Sequence, residues 1–244
     1  MYHAVLERWS QRTGPAHRRD PRAKIVALLV FLVALATAHR NLPGLSAAFL
    51  FLLAGALAWA RIPLAGALAR AALVLPFTAV FALVCWLAGD PARGLSLVAK
   101  SYLSALAVLF VVSTTPFPSL LRGLEMTAVP RFLLLVAQFL YRYLFVIGDE
   151  AQQMRTAAAA RGATARQWAA GGARFRAAGG ALAVLFARSY GRAAQIHRAM
   201  LSRGFLGHFQ ALEPPRFRSS DAAFAAIASL APILVRLALE RAAS

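Results

Sequence analysis

Pro130 to Arg161 reads PRFLLLVAQFLYRYLFVIGDEAQQMRTAAAAR, and whether this stretch crosses a membrane decides the fold. Its apolar part, residues 132–147, is sixteen residues long and contains Arg142. An upright crossing of the hydrocarbon needs roughly 20 apolar residues, and a charge in the middle is costly. If it crossed, the chain after it would lie outside, yet residues 142–218 carry twelve Arg against Asp149, Glu150 and Glu213 as the acids. Loops that rich in arginine stay on the cytoplasmic side. The stretch is therefore expected to be one long helix running along or under the membrane on the cytoplasmic side. At 1.5 Å per residue it would reach about 46 Å, further than the bilayer core is thick. It reads as a lever, and a crossing at 132–147 is the alternative.

The next stretch, residues 174–203, repeats the design. Leu182, Phe186, Ala193, Ile196 and Met200 are expected on one side at helical spacing, with Arg188, Arg192 and Arg203 on an adjoining one. Gly171-Gly172 marks a turn at its start, and Gly179-Gly180 is a place to bend. Both long stretches close on the same step: Ala160-Arg161-Gly162 and Ser202-Arg203-Gly204. Glycine is the usual residue just past a helix end, and a cation in the last turn complements the negative pole. A single Arg-Gly could be ordinary capping. Two at consecutive helix ends suggest a pair of prongs, each offering one guanidinium.

Working outward, the chain of 244 residues is 60% hydrophobic and 15% charged, too apolar for an ordinary soluble domain. Apolar runs at residues 25–38, 45–60, 71–88 and 97–112 precede the lever, and one at 222–239 follows it. The fold expected is an all-α integral membrane protein with about five transmembrane helices, six being the alternative count, plus long cytoplasmic or membrane-parallel helices. Arg22 and Lys24 before the first run place the N-terminus in the cytoplasm, Arg61 and Arg70 on the same side, and Asp90 and Arg93 outside. The first 24 residues are polar and basic where the apolar core of a signal peptide would be expected, so none is predicted. The turn at residues 39–43 and the break at Glu213-Pro214-Pro215 separate spans from their neighbours.

The formal net charge of +18 comes almost entirely from arginine, since Lys24 and Lys100 are the only lysines. Nucleic acid is not the expected partner, because repeated apolar runs of spanning length are not a nucleic-acid-binding design. The lipid bilayer and an acidic protein face fit better. Cys85 is the single cysteine and excludes an internal disulfide. His3, His17, His39, His197 and His208 are scattered, without metal-ligand spacing, so neither a metal site nor another cofactor is expected. There is no HExxH and no Walker-type loop. Asp149-Glu150 is the one acidic pair in the basic half of the chain, and without a third carboxylate it reads as a solvated helix face. No catalytic constellation can be assembled.

Three further stretches carry a resemblance. Residues 17–24 (HRRDPRAK), residues 114–121 (TTPFPSLL) and Tyr141-Arg142-Tyr143 through Asp149-Glu150-Ala151, together with the two Arg-Gly steps, resemble the transmembrane T component (EcfT/CbiQ family) of energy-coupling factor ABC transporters. Within that family the wording is closest to the cobalt-transport permeases of the CbiQ type, over roughly residues 17–210. The family pattern at the tips is Ala-Arg-Gly, and Ser202 replaces the second Ala here. The resemblance implies that the two long helices are coupling helices whose tips, Ala160, Arg161 and Gly162 with Ser202, Arg203 and Gly204, sit in grooves of two cytoplasmic ABC ATPase subunits. It also implies a substrate-binding membrane S component (CbiM-like) as partner, a small accessory membrane subunit as an optional one, and the cell inner (plasma) membrane, crossed several times, as location. ATP hydrolysis would belong to the partners and not to this chain.

Asp20, Pro21 and Arg22 read either as an ordinary helix start or as a structural motif, and Thr114, Thr115 and Pro116 as a helix stop or a hinge into the coupling module. Tyr141, Arg142 and Tyr143 fit a membrane interface. The organisation expected is a cytoplasmic arm (1–24), a four-helix transmembrane part (25–113), a coupling module (114–218) and a C-terminal transmembrane helix (219–244). Cobalt is the substrate that the resemblance favours, with nickel or a vitamin as near alternatives. A membrane-embedded enzyme acting on lipid or isoprenoid is the rival from another class, and a basic membrane adaptor the third.

Overall fold

The computed structural model describes residues 14, 16–17, 19–38, 42–125, 129–162, 171–207 and 219–242. The turn at 39–41, the connection at 163–170, the break at 213–215 and His3 and His208 lie outside these residues. Among the described residues the regular structure is helical throughout, as an all-α membrane protein requires.

The described residues fall into two compact units. The first, residues 1–127 with 214–244, holds α1 (Pro21–Ala36), α2 (Leu42–Trp59), α3 (Leu64–Ala71), α4 (Leu75–Leu87), α5 (Pro91–Thr114), α6 (Phe117–Glu125) and α9 (Ser219–Ala242). The second, residues 128–213, holds α7 (Arg131–Ala160) and α8 (Gly171–Leu201). Within the first unit α6 packs back on α1.

Two of these helices start alike. The Asp20 carboxylate accepts from the Arg22 backbone N–H at 2.9 Å with Pro21 in the first turn, and Asp90 accepts from the Arg93 N–H at 3.1 Å with Pro91 in the first turn. An acceptor at the N-cap and a residue that lacks an N–H directly after it satisfy the helix start chemically. Between α3 and α4 a single 3₁₀ turn, Ala72–Val74, absorbs Pro76, whose ring cannot donate to the turn before it. Residues 64–87 together are long and apolar enough to cross a membrane, as are 91–114, 132–160 and 219–239. α2 is a shorter apolar helix. The 132–160 helix thus meets the length criterion over its whole extent, although its apolar part taken alone is short.

α5 is the centre of the first unit, packing on α1, α2, α3 and α4, while α9 lies on α1 and α2. Leu45, Phe49, Leu53 and Leu57 recur every four residues on the buried face of α2, and Phe49 meets Phe31 of α1 with ring centroids 5.2 Å apart. A side chain at Gly94 would come 2.9 Å from the Ala82 carbonyl oxygen, so glycine there lets α5 approach α4. Large apolar side chains such as Phe51, Phe77, Trp86 and Leu87 point outward, the pattern of a surface that faces lipid rather than water.

In the second unit the half-buried positions include Phe139, Tyr143, Ile147, Glu150, Met154 and Ala158 on α7 and Ala181, Leu185, Ser189, Arg192, Ile196 and Met200 on α8. These residues advance by threes and fours, the spacing of a two-helix seam. Leu182 and Phe186, expected on that stripe, are exposed instead, 65% and 72%. One heptad-like step places Arg192 in the seam. α8 is continuous through Gly179 and Gly180.

Candidate functional site

Both Arg-Gly steps close their helices on a left-handed glycine. At the end of α7, Arg161 is the C-cap, its N–H shared between the carbonyls of Ala157 and Ala158, and Gly162 follows with φ +84° and an N–H on the Ala159 carbonyl. At the end of α8, Gly204 has φ +74°, its N–H bonds the Leu201 carbonyl, and the Phe205 N–H reaches back to Met200. That pair of bonds is a Schellman closure, and a left-handed residue just past the cap is what it demands. Arg203 therefore holds the same position relative to Gly204 as Arg161 does to Gly162. Both arginines are exposed, and neither side chain has a hydrogen-bond or ion-pair partner among the described residues. Each is a guanidinium projecting from the negative pole of a long helix.

The structure adds a polar contact between the two helices that the sequence concealed. Glu150 is only 13% exposed at its side chain, and each carboxylate oxygen takes a different arginine: Oε1 the Arg188 Nη1 at 3.2 Å, Oε2 the Arg192 Nη2 at 2.8 Å. The expected solvated face at Asp149-Glu150 thus holds for Asp149, which is exposed, and fails for Glu150. The reason is helical phase: Glu150 lies three residues past Ile147, on the seam, and Asp149 does not. On one side of this clamp lies a largely apolar cleft of about 380 Å³ lined by Phe139, Tyr143, Ile147, Ala193, Ile196 and Met200, with Ser189 and Arg192 as its polar members. The cleft is N-terminal to Glu150 on α7 and mostly C-terminal to Arg188 on α8, so the two helices run antiparallel. Of the residues expected at an interface, Tyr143 lines this cleft, stacked on Phe139 at 6.1 Å, and the Arg142 guanidinium sits 5.8 Å from the Tyr143 ring.

The first unit gathers the other two motifs at one node. Lys24, 1% exposed, donates to the Thr114 carbonyl at 3.0 Å and the Thr115 hydroxyl at 2.9 Å. The Asp20 N–H donates to Asp221 Oδ1 at 3.3 Å, and Arg19 donates to the Ser220 carbonyl at 3.0 Å and pairs with Asp221 at 3.8 Å. Gly123 of α6 faces the same corner, where a Cβ would lie 3.2 Å from that of Pro21. Asp20, Pro21 and Arg22 thus start α1, and Thr114 and Thr115, both buried, end α5 under the Lys24 ammonium. Pro116 then lets the chain turn into α6. Lys100, the other lysine, does the converse: it donates to the Ala36 and Ala38 carbonyls at 3.2 and 2.7 Å, at the far end of α1. Arg236 of α9 joins it there on the Thr37 hydroxyl and carbonyl. Lys24 was visible only as a flanking charge, and Asp221 and Gly123 gave no local signal.

No group of three or more His, Cys, Asp or Glu that could hold a metal occurs among the described residues. A family model described as CbiQ, cobalt transport protein, matches residues 13–212, which include both tips, the Glu150 clamp and the node up to Thr115. The match ends before α9. The cobalt transport protein CbiQ of Rhodobacter capsulatus is 30% identical over 207 residues, covering 80% of this chain and 82% of that protein.

Proposed function

Since the chain belongs to the CbiQ cobalt transport protein family, we propose that it is the coupling membrane subunit of a cobalt importer driven by two cytoplasmic ATPase subunits. The observation that carries this reading is the pair of exposed arginines, each followed by a left-handed glycine, at the ends of α7 and α8. A planar guanidinium that never loses its charge binds a carboxylate through two parallel hydrogen bonds, which a lysine cannot do. Arg161 and Arg203 would each enter an acidic groove of one ATPase subunit, with the tip glycines keeping the approach narrow. Both helix ends then lie in the cytoplasm together with the N-terminus, in line with the arginine excess of residues 142–218.

In this mechanism ATP binding draws the two ATPase subunits together, the tips follow, and α7 and α8 shear against each other. The motion reaches a separate substrate-binding membrane subunit, which carries the Co²⁺ recognition. The first unit stays in the bilayer as a frame, clasped at the Lys24 node. ATP hydrolysis belongs to the partners. The test is the double charge reversal Arg161→Glu with Arg203→Glu, in cells that express the complete transporter. Expected is a protein that reaches the membrane in normal amount but no longer co-purifies with the ATPase subunits, with cobalt uptake lost. Retention of the ATPase by the double variant removes the tips from the interface.

A further inference from the structure

Arg161 stands eleven residues after Glu150 on α7, and Arg203 stands eleven residues after Arg192 on α8. At 1.5 Å per residue Arg161 is ~16 Å beyond Glu150, and Arg203 is ~16 Å beyond Arg192 and ~22 Å beyond Arg188, along the helix axes. Eleven residues are close to three full turns, so Arg161, the cap of α7, returns nearly to the angular position of Glu150. In an antiparallel pair the two arms extend in opposite directions from the clamp.

Little else fixes the crossing. α7 and α8 make few close backbone contacts, and beside the clamp the seam opens into the apolar cleft. Apolar side chains around a cleft can slide by a fraction of a turn at small cost, whereas a carboxylate held by two guanidiniums one turn apart defines one position along both axes. Glu150 reaches both arginines only where it faces the interval between residues 188 and 192. A displacement by one turn in either direction would leave an arginine unpaired beside the seam, where the second terminal nitrogen of Arg192 already lacks a partner.

We propose that Glu150 is the positioning residue of the coupling module: by binding Arg188 and Arg192 together it sets where α7 crosses α8, and thereby the reach and relative aim of Arg161 and Arg203. The functional consequence rests on the coupling reading above, whereas the geometric claim does not. Glu150 touches neither ATPase nor substrate in this account. It acts through the spacing of the two arms.

The experiment uses the full chain in lipid nanodiscs, with Cys85→Ser and spin labels on Ala159→Cys and Ala199→Cys, one exposed position near each tip. The label-to-label distance is read by double electron-electron resonance. The parent is expected to give one narrow distance peak. Glu150→Gln, which keeps shape but removes the charge, is expected to lose that single peak to a broad distribution. Arg188→Gln and Arg192→Gln, which each leave one contact, should broaden it less. The exchange of signs, Glu150→Arg with Arg188→Glu and Arg192→Glu, should restore the narrow peak, and it keeps the test open if Glu150→Gln folds poorly. A distribution as narrow in Glu150→Gln as in the parent overturns the proposal, and so does a sign exchange that folds but stays broad. No ATPase is present, so either failure is separate from that of the coupling reading, which falls only if Arg161→Glu with Arg203→Glu still retains the ATPase.

Discussion

Gly162 and Gly204 occupy the left-handed region of backbone space, and a Cβ built on either meets no atom within 4 Å. A substitution there would therefore act through the backbone alone. Replacing either with alanine should cost on the order of 1 kcal/mol of local stability and loosen the helix end, without disturbing the rest of the fold. The expected outcome for Gly162→Ala with Gly204→Ala is normal membrane expression and thermal stability but weaker co-purification of ATPase, milder than charge reversal at the arginines. Wild-type retention would mean that the tip backbone is not at the interface. These caps were readable in the sequence because capping is local chemistry: the arginine, the glycine and the carbonyls they serve lie within one turn. Glu150 was not readable, since its partners stand 38 and 42 residues further on. Nothing in GDEAQ says which acid turns inward until the phase of α7 against α8 is known.

At the scale of elements, the only two lysines form a reciprocal clasp between α1 and α5. Lys24 near the start of α1 closes the carbonyl end of α5, and Lys100 in the first half of α5 closes that of α1. Terminal carbonyls have no partner within their own helix, and in a bilayer water does not supply one. A compact ammonium with three donors fits such a corner better than a forked guanidinium. Lys24→Met and Lys100→Met should each destabilise the detergent-solubilised protein by about 1–3 kcal/mol, seen as a lower thermal midpoint. Lys24→Arg should not rescue, because the site is closed around Nζ. Unaltered midpoints in both methionine variants would show the clasp to be incidental. The helices themselves were legible from apolar runs and Asp-Pro starts. Their ends moved by several residues because polar caps, not the apolar runs, stop them: α5 begins at Pro91, six residues before its apolar run. The packing of α6 against α1 through Gly123 left no trace in hydropathy, since it depends on the absence of a side chain.

For the whole molecule, the expectation of an all-α membrane protein follows from composition alone, and the helices meet it. What composition could not divide was the role of 132–160, a helix apolar enough to cross and followed by a stretch basic enough to remain inside. Length and hydropathy treat it as a span, whereas the positive-inside rule and the shared build of the two arginine caps treat it as an arm. The proposed function takes the second view, in which both tips would lie in the cytoplasm against the ATPase subunits. The most direct measurement places a photo-activatable cross-linking residue at position 161, and separately at 203, in cells that express the whole transporter. Predicted is a covalent adduct with an ATPase subunit from each position. Illumination that yields no ATPase adduct from either position, with the complete transporter assembled and active, would contradict the claim that Arg161 and Arg203 are the coupling tips.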